Sequence, residues 1–186
     1  MILPIVALGH PVLKKVAQDI DKDYPDLKVL IDNMFETMYN AEGVGLAAPQ
    51  INKSIRLFII DAAPYEKHYP ETVGFKRVFI NPQIIEEDGE EWFFNEGCLS
   101  LPDVHEDVAR KSKVLLRYLD ENFIEKEEWF DGICARVIQH EYDHLEGLVF
   151  TDRLSNVTKL FLRKRLNDIR DGKIKNCYRM VFGKKG

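Results

Sequence analysis

The feature that most constrains the fold is a helix that carries the sequence His140-Glu141-Tyr142-Asp143-His144. Asp131 is suited to cap its N-terminus, apolar residues recur at helical spacing over 133–138, and Gly147 is suited to end it. Four helical steps of about 100° bring His144 within roughly 40° of His140 around the helix axis. Both imidazoles can then bind one metal ion, with Glu141 beside it. A metal site is favoured over the alternative, an exposed polar face of a surface helix.

Two histidines do not complete a metal site, and the third ligand separates the enzyme classes that carry the H-E-x-x-H motif. Proteases with this motif take a His or a Glu farther downstream. Here no His follows His144 and no Glu follows Glu146, which disfavours a protease. The remaining candidates for the third ligand are Asp152, Asp168 and Asp171 downstream and Cys98, His10, His68 and His105 upstream.

Cys98 has the most favourable context, because it lies in the segment Glu-Gly-Cys-Leu-Ser-Leu-Pro of residues 96–102. The glycine permits close approach of the backbone and the proline stiffens the exit. The alternative for any single cysteine is a small buried hydrophobe, and the local sequence leaves both interpretations open for Cys98. For Cys134 and Cys177 we expect the buried hydrophobe. Three cysteines without C-x-x-C spacing fit a reducing compartment.

Residues 43–50, Gly-Val-Gly-Leu-Ala-Ala-Pro-Gln, form a further distinctive segment. Small residues suit a backbone that lies against a ligand, and Gln50 ends the segment with an amide that can donate a hydrogen bond. A turn between a helix and a strand that packs on the core would have the same composition.

Length and composition exclude several classes of protein. A chain of 186 residues, 45% hydrophobic and 31% charged, is typical of one globular domain and not of a disordered or collagen-like chain. No apolar run approaches the roughly 18 residues that span a bilayer, and no secretory signal pattern follows Met1. We therefore expect a soluble protein that is not exported.

The pattern of elements predicts an α+β fold. A first helix begins near Leu27 and is stopped by Gly43, and a third begins at Ser155 and ends at Gly172, with Val157, Leu160, Phe161 and Ile169 on one side. We predict strands over 55–60, 77–85, 114–119 and 123–129, interrupted at Pro82, at Asp88-Gly89 and at Asp120-Glu121-Asn122. Short connections favour antiparallel pairing of these strands. A further short strand is predicted over 177–182.

Charge divides the chain into an acidic body and a basic tail. Residues 1–150 carry 15 Lys and Arg against 28 Asp and Glu, whereas residues 151–186 carry 11 against 3. This asymmetry suggests an anionic partner for the tail, and the alternative is a solvated helix face. We expect a core over 1–150 and a basic helix with a strand-like end over 151–186, in the same domain or as an appendage.

Three segments together resemble the peptide deformylase family. The motifs G-x-G-x-A-A-P-Q, E-G-C-L-S and Q-H-E-x-D-H-L-x-G occur unbroken and in this order, over 43–50, 96–100 and 139–147. The resemblance covers roughly residues 5–150 and thins beyond Phe150. It implies the fold of that family, with antiparallel and mixed sheets around a central metal-binding helix.

The resemblance also implies a ligand set and a reaction. Cys98, His140 and His144 would hold one divalent metal ion, natively Fe²⁺, with Ni²⁺, Co²⁺ or Zn²⁺ as alternatives. The enzyme would remove the formyl group from the N-terminal formylmethionine of new polypeptides and release formate. Metal-bound water would attack with Glu141 as general base and acid.

Further residues receive roles from the same resemblance. The Gln50 amide and the Leu99 backbone N–H would stabilise the oxyanion. Gly45 and Arg110 would lie along the peptide, and Val44 and Val137 would line an apolar pocket for the methionine side chain. The polar residues Glu96, Gln139 and Asp143 either orient the metal ligands or are ordinary polar residues near the core.

The expected partners are formylmethionyl nascent peptides and, through the basic tail with Arg163, Lys164 and Arg165, the ribosome near its exit tunnel. We expect no membrane partner, no sequence-specific binding of nucleic acid, and a bacterial cytoplasmic location. Alternative functions are a protease, a metal-stabilised binding module without activity, and an enzyme that uses Cys98 as a covalent nucleophile. Retention of Glu141 and Gln50 disfavours the binding module, because a structural metal needs no base.

Overall fold

A computed structural model describes residues 1–175 and 177–183 of the chain. Over these residues the chain forms three α-helices and seven strands in irregular order, with short 3₁₀-helices between some of them. In chain order the elements are β1 (Ile5–Val6), α1 (Leu27–Asn40), β2 (Gly45–Ala47), β3 (Leu57–Asp61), β4 (Lys76–Cys98), β5 (Leu101–Leu119), β6 (Glu125–Asp131), α2 (Gly132–Leu145), α3 (Asn156–Arg170) and β7 (Met180–Val181). The predicted α+β class is confirmed.

The main sheet is antiparallel and has the strand order β2-β3-β4-β5-β6. Its centre is a long hairpin of β4 with 23 residues and β5 with 19 residues, joined by the two-residue turn of Leu99 and Ser100. The predicted interruptions at Pro82 and Gly89 are wrong. Both residues lie inside β4, where register shifts between Ile80 and Gln83 and between Asp88 and Glu91 absorb them as bulges.

A second, two-stranded sheet pairs β7 with β1 in parallel. The predicted strand over 177–182 is thus shorter and covers Met180–Val181. A parallel pair needs a long connection, and here nearly the whole chain separates the two strands. The C-terminal segment therefore returns to the N-terminal strand.

Helix α2 lies at the centre of the molecule, where it contacts β2, β3, β5 and β6. Asp131 caps it as predicted, with its carboxylate accepting the N–H of Gly132. Twelve of its residues are buried, including both histidines of the motif. Burying a polar group is costly unless it is paired, so a helix that is buried on nearly all sides carries polar groups that are either paired or functional. The charged residues of α2 are therefore candidates for the functional site.

Helix α3 is capped by Ser155 as predicted, but its predicted apolar face is wrong. Val157, Leu160 and Phe161 are 65%, 65% and 83% exposed, whereas Leu166 and Ile169 are buried. Only the last turns of the helix pack against the core, in a cluster with residues of β5 such as Leu101 and Val104. The first turns leave an apolar surface uncovered.

Candidate active site

Three potential metal ligands meet where the end of β4 reaches helix α2. The ligating atoms of Cys98, His140 and His144 all lie within 4.8 Å of one another. Cys98 Sγ is 3.3 Å from His144 Nε2. One sulfur and two imidazole nitrogens at this spacing suit a transition-metal ion and leave further coordination positions open. Within residues 1–175 and 177–183 no other His, Cys, Asp and Glu side chains form such a group, so the alternative third ligands are not assembled there.

The electrostatic environment favours a thiolate at this site. Burial alone raises the pKa of Cys98, but the charges and hydrogen bonds of His144 and His140 outweigh it and lower the pKa to about 5. A thiolate is the form of cysteine that binds metals. The Nδ1 atom of His144 is buried without a partner among the described residues, and its Nε2 faces the sulfur.

Glu96 fixes the orientation of His140. Its Oε2 atom lies 2.9 Å from His140 Nδ1, which leaves Nε2 of the ring directed to the ligand group. The carboxylate also accepts two hydrogen bonds from Arg110, at 2.7 and 2.9 Å, and one of 2.9 Å from Arg136. Burial raises the pKa of Glu96, yet Arg110 and His140 lower it well below its usual value, so the carboxylate stays charged.

Asp143 forms the next link of this buried network. It accepts a hydrogen bond of 2.8 Å from Arg110 and two bonds, of 2.6 and 2.5 Å, from Arg153. Arg153 lies beyond the three motifs and connects the chain after α2 to the base of the site. Gln139, the third polar candidate, donates to the carbonyls of Lys111 and Ala135 and so ties α2 to β5.

Arg110 does not lie along the cleft. Its side chain is 1% exposed and its guanidinium is enclosed by Glu96 and Asp143. The structure therefore corrects the expectation that Arg110 contacts the peptide. A guanidinium that already makes three charge-assisted bonds to buried carboxylates has a structural role beneath His140.

The Glu141 carboxylate lines the same cleft as Cys98 and His140. The residue is 4% exposed, and its Oε2 atom has no hydrogen-bond partner among the described residues. Burial raises the pKa of Glu141 to about 7, against the opposing charges of His140 and His144. A Cβ atom on Gly45 would collide with this carboxylate, so the glycine is required for the carboxylate to fit.

Gln50 and the β4–β5 turn supply hydrogen-bond donors beside Cys98. Gln50 Oε1 accepts the N–H of Ala47 at 2.8 Å, so its Nε2 points the other way, towards Ser100 Oγ at 3.3 Å and Cys98 Sγ at 3.5 Å. Leu99 is in the turn, next to the sulfur ligand. Both groups lie in the wall of a cleft of about 420 Å³.

The same cleft is lined by Val44, Gly45 and Val137 among the predicted binding residues. Sequence reasoning missed Tyr65, Phe94 and Arg136, which also line it. Sequence periodicity could have placed two of them near the site. Arg136 precedes His140 by one helical turn, and Phe94 shares a strand face with Glu96. No such signal identified Tyr65.

The interpretation of Cys177 as a buried hydrophobe is wrong. Cys177 is exposed and lines the cleft together with Tyr178, whereas Cys134 is buried as expected. Backbone pairing of β7 with β1 determines where this segment lies, and its local sequence contains no pattern that indicates the cleft.

Known proteins match the chain along its whole length. The family model described as polypeptide deformylase matches residues 2–160. The chain is 55% identical to the peptide deformylase of Flavobacterium johnsoniae, with 100% of each chain covered. The chain belongs to the peptide deformylase family. The resemblance therefore does not end near Phe150, because this relative also matches the basic tail.

Further deformylases agree with this assignment. The chain is 54% identical to the peptide deformylase of Christiangramia forsetii, with 98% of this chain and 96% of the relative covered. Its fold is similar to that of a peptide deformylase from Legionella pneumophila, with a TM-score of 0.81, 36% identity, and 95% and 99% of the two chains covered.

As a peptide deformylase the chain is a metallohydrolase that removes the formyl group from N-terminal formylmethionine, and it acts on formylated nascent peptides. The cluster of Cys98, His140 and His144 agrees with a single metal ion. No helix among the described residues is long and apolar enough to cross a membrane.

Proposed function

We propose that Cys98, His140 and His144 bind one divalent cation, natively Fe²⁺, and that the formyl group is hydrolysed beside it. Support comes from the buried Oε2 atom of Glu141, which has no hydrogen-bond partner among the described residues and lies beside the ligand group. A purely structural metal site would need no such base. A thiolate with two imidazoles also suits Ni²⁺, Co²⁺ or Zn²⁺. When bound, the cation supplies Lewis acidity that polarises the formyl carbonyl and lowers the pKa of water.

Glu141 is proposed as the group that moves the proton. Its carboxylate accepts a proton from the attacking water and returns it to the amine nitrogen as the C–N bond breaks. Burial raises the pKa of Glu141 to about 7, which suits both the acceptance of the proton from water and its transfer to the amine. Because Gly45 carries no side chain, the carboxylate has space beside the reacting group.

Gln50 Nε2 and the Leu99 N–H are proposed as donors to the oxyanion. The bond between Gln50 Oε1 and the Ala47 N–H, at 2.8 Å, fixes the orientation of the Gln50 amide. Fixed donors stabilise developing negative charge without reorganising during the reaction.

The peptide is proposed to lie along β2, with Gly45 against its backbone. Strand β2 is the edge of the main sheet, so one side of it is available for an added strand. Val44 and Val137 would then contact the methionine side chain. Arg110 is left out of this proposal because it is enclosed beneath the site.

Formate release tests the metal-dependent reaction. Protein purified under anaerobic conditions and loaded with Fe²⁺ is expected to release formate from formyl-Met-Ala-Ser, to stop after chelation, and to recover when Fe²⁺ is restored. Failure to release formate with Fe²⁺ bound would refute the proposal. Activity that survives complete removal of metal would instead favour Cys98 as a covalent nucleophile.

We also propose that helix α3 docks on the ribosome and that the enzyme works in the bacterial cytosol, where formylated chains emerge. Arg163 and Lys164 are exposed on the helix next to the uncovered Leu160 and Phe161. Arg165 is different, because it donates hydrogen bonds to Pro102 O and to Asp103 Oδ2. It therefore stabilises the fold and is not suited to a charge-reversal test.

Reversing Arg163 and Lys164 to Glu is expected to weaken salt-sensitive binding to ribosomes, because fewer cations then meet the anionic surface. Hydrolysis of short formyl peptides should be unchanged. The matched control reverses Lys53 and Lys67, which are exposed elsewhere and give the same change in net charge. Equal binding of the two double variants at low salt would contradict docking through α3.

A further inference from the structure

The C-terminal segment meets the candidate active site at the turn between β4 and β5. Tyr178 Oη donates a hydrogen bond of 2.8 Å to the carbonyl oxygen of Leu99, across 79 positions of sequence. Cys177 and Tyr178 also line the cleft, together with Cys98 and Leu99. A segment that none of the three sequence motifs includes thus forms part of the cleft wall.

Backbone hydrogen bonds hold this segment in place. The Ile5 N–H donates to Arg179 O at 3.0 Å, and the Ala7 N–H donates to Val181 O at 2.8 Å. Met180 and Phe182 pack against the apolar cluster that includes residues of β5. Because strand pairing and packing anchor the segment, the loss of one hydroxyl should not displace it.

Separate hydrogen bonds hold the two residues of the β4–β5 turn. Ser100 O accepts the Leu8 N–H at 2.9 Å, and Ser100 Oγ accepts Gln50 Nε2 at 3.3 Å. Tyr178 binds the carbonyl of Leu99. Burial raises the pKa of Tyr178, so the phenol keeps the proton that it donates.

We propose that Tyr178 is a positioning residue for hydrolysis. By holding the Leu99 carbonyl it limits rotation of the turn and keeps the Leu99 N–H directed at the oxyanion, while Cys177 and Tyr178 bound the cleft on that side. This inference rests on the proposed role of Leu99 as an oxyanion donor. A donor that swings away from the developing charge stabilises the transition state less, whereas the ground-state peptide is still bound.

The variant Tyr178→Phe tests the inference on the Fe²⁺-loaded enzyme. We expect kcat for formyl-Met-Ala-Ser to fall about fivefold, the equivalent of about 1 kcal/mol, with KM within about twofold of its original value. The matched control is Tyr118→Phe, which removes the hydrogen bond of 2.9 Å from Tyr118 to Glu128 outside the cleft. Both variants should lose similar thermal stability, but the control should keep its kcat.

Unchanged kcat in Tyr178→Phe, or an equal fall in Tyr118→Phe, would overturn the positioning role. Such a result leaves the proposed function intact, since that function fails only if the loaded parent enzyme releases no formate. The two failures are therefore distinguishable.

Alkylation of Cys177 tests whether the segment bounds the cleft. Cys177 is exposed and Cys134 is buried, so N-ethylmaleimide on the metal-loaded protein should react first at Cys177. We expect the modified enzyme to show KM for the formyl tripeptide raised at least about threefold, because the adduct narrows the cleft. In the variant Cys177→Ser, treatment with N-ethylmaleimide should cause no change in KM, because the reactive thiol is absent. A KM that the treatment leaves unchanged in the parent enzyme, or raises equally in Cys177→Ser, would contradict the wall assignment.

Discussion

The buried guanidinium of Arg110 allows a sharp test of how the site is supported. In the variant Arg110→Met a side chain of similar length replaces the charge, and Glu96 and Asp143 lose three hydrogen bonds of 2.7 to 2.9 Å. Removing one partner from a buried ion pair usually costs about 3–5 kcal/mol. Glu96 keeps Arg136 and Asp143 keeps Arg153, so we expect the low end, about 3 kcal/mol.

Equilibrium unfolding in urea measures this loss. Chelator should be present throughout, because bound metal would add its own contribution to the free energy of unfolding. For a chain of this length about 3 kcal/mol corresponds to a fall of roughly 6–12 °C in Tm. The matched control is Arg117→Met, which breaks an exposed pair with Glu127, with side chains 47% and 43% exposed. We expect the control to lose less than about 1 kcal/mol.

Kinetics separate a supporting role from contact with the peptide. If Arg110 supports His140 through Glu96, the loaded variant should lose mainly kcat. A loss of peptide binding would raise KM and leave kcat unchanged. If Arg110→Met loses less than about 1 kcal/mol of stability and has a raised KM, the supporting role is refuted. Arg110 would then contact the peptide.

Two further predictions concern Gly45 and Asp120. In Gly45→Ala the new Cβ must displace the Glu141 carboxylate, so kcat/KM should fall at least about 100-fold while circular dichroism shows an unchanged fold; a normal kcat/KM would contradict the fit. Burial raises the pKa of Asp120, but the N–H groups of Ile124 and Asn122 and the charge of Lys126 lower it below its usual value. Because the pKa of Asp120 is lower in the folded than in the unfolded protein, the charged carboxylate stabilises the fold above the unfolded pKa, and this stabilisation is lost as pH falls. At pH 7 the variant Asp120→Asn should therefore have a free energy of unfolding lower by at most about 1 kcal/mol. Urea titrations near pH 2 should show no difference between the two proteins. A difference that does not depend on pH would contradict this role.

Local patterns in the sequence predicted the elements that local physics determines. The caps Asp131 and Ser155 and the helical spacing of the motif identified α2 and α3, because capping and periodicity act within a few residues. The expected metal ligands Cys98, His140 and His144 also meet, although a hairpin turn brings the first one to the helix.

Features that depend on tertiary packing were not predictable in this way. Bulges let β4 pass through Pro82 and Gly89, which in isolation indicate turns. The exposed face of α3 follows from packing of its last turns alone, so Phe161 is uncovered despite its helical spacing. The family resemblance placed Arg110 along the peptide, but the fold encloses it between Glu96 and Asp143.

The variant Glu141→Ala tests the central claim most directly. Metal content and formate release should be measured on the same anaerobic preparation, beside the parent enzyme. We predict about one metal ion per chain in both proteins, because Glu141 is not among the ligands, and a loss of kcat of at least about 100-fold in the variant. Near-normal turnover in Glu141→Ala with metal bound would contradict the assignment of the base, and loss of the metal would contradict the assignment of the ligands.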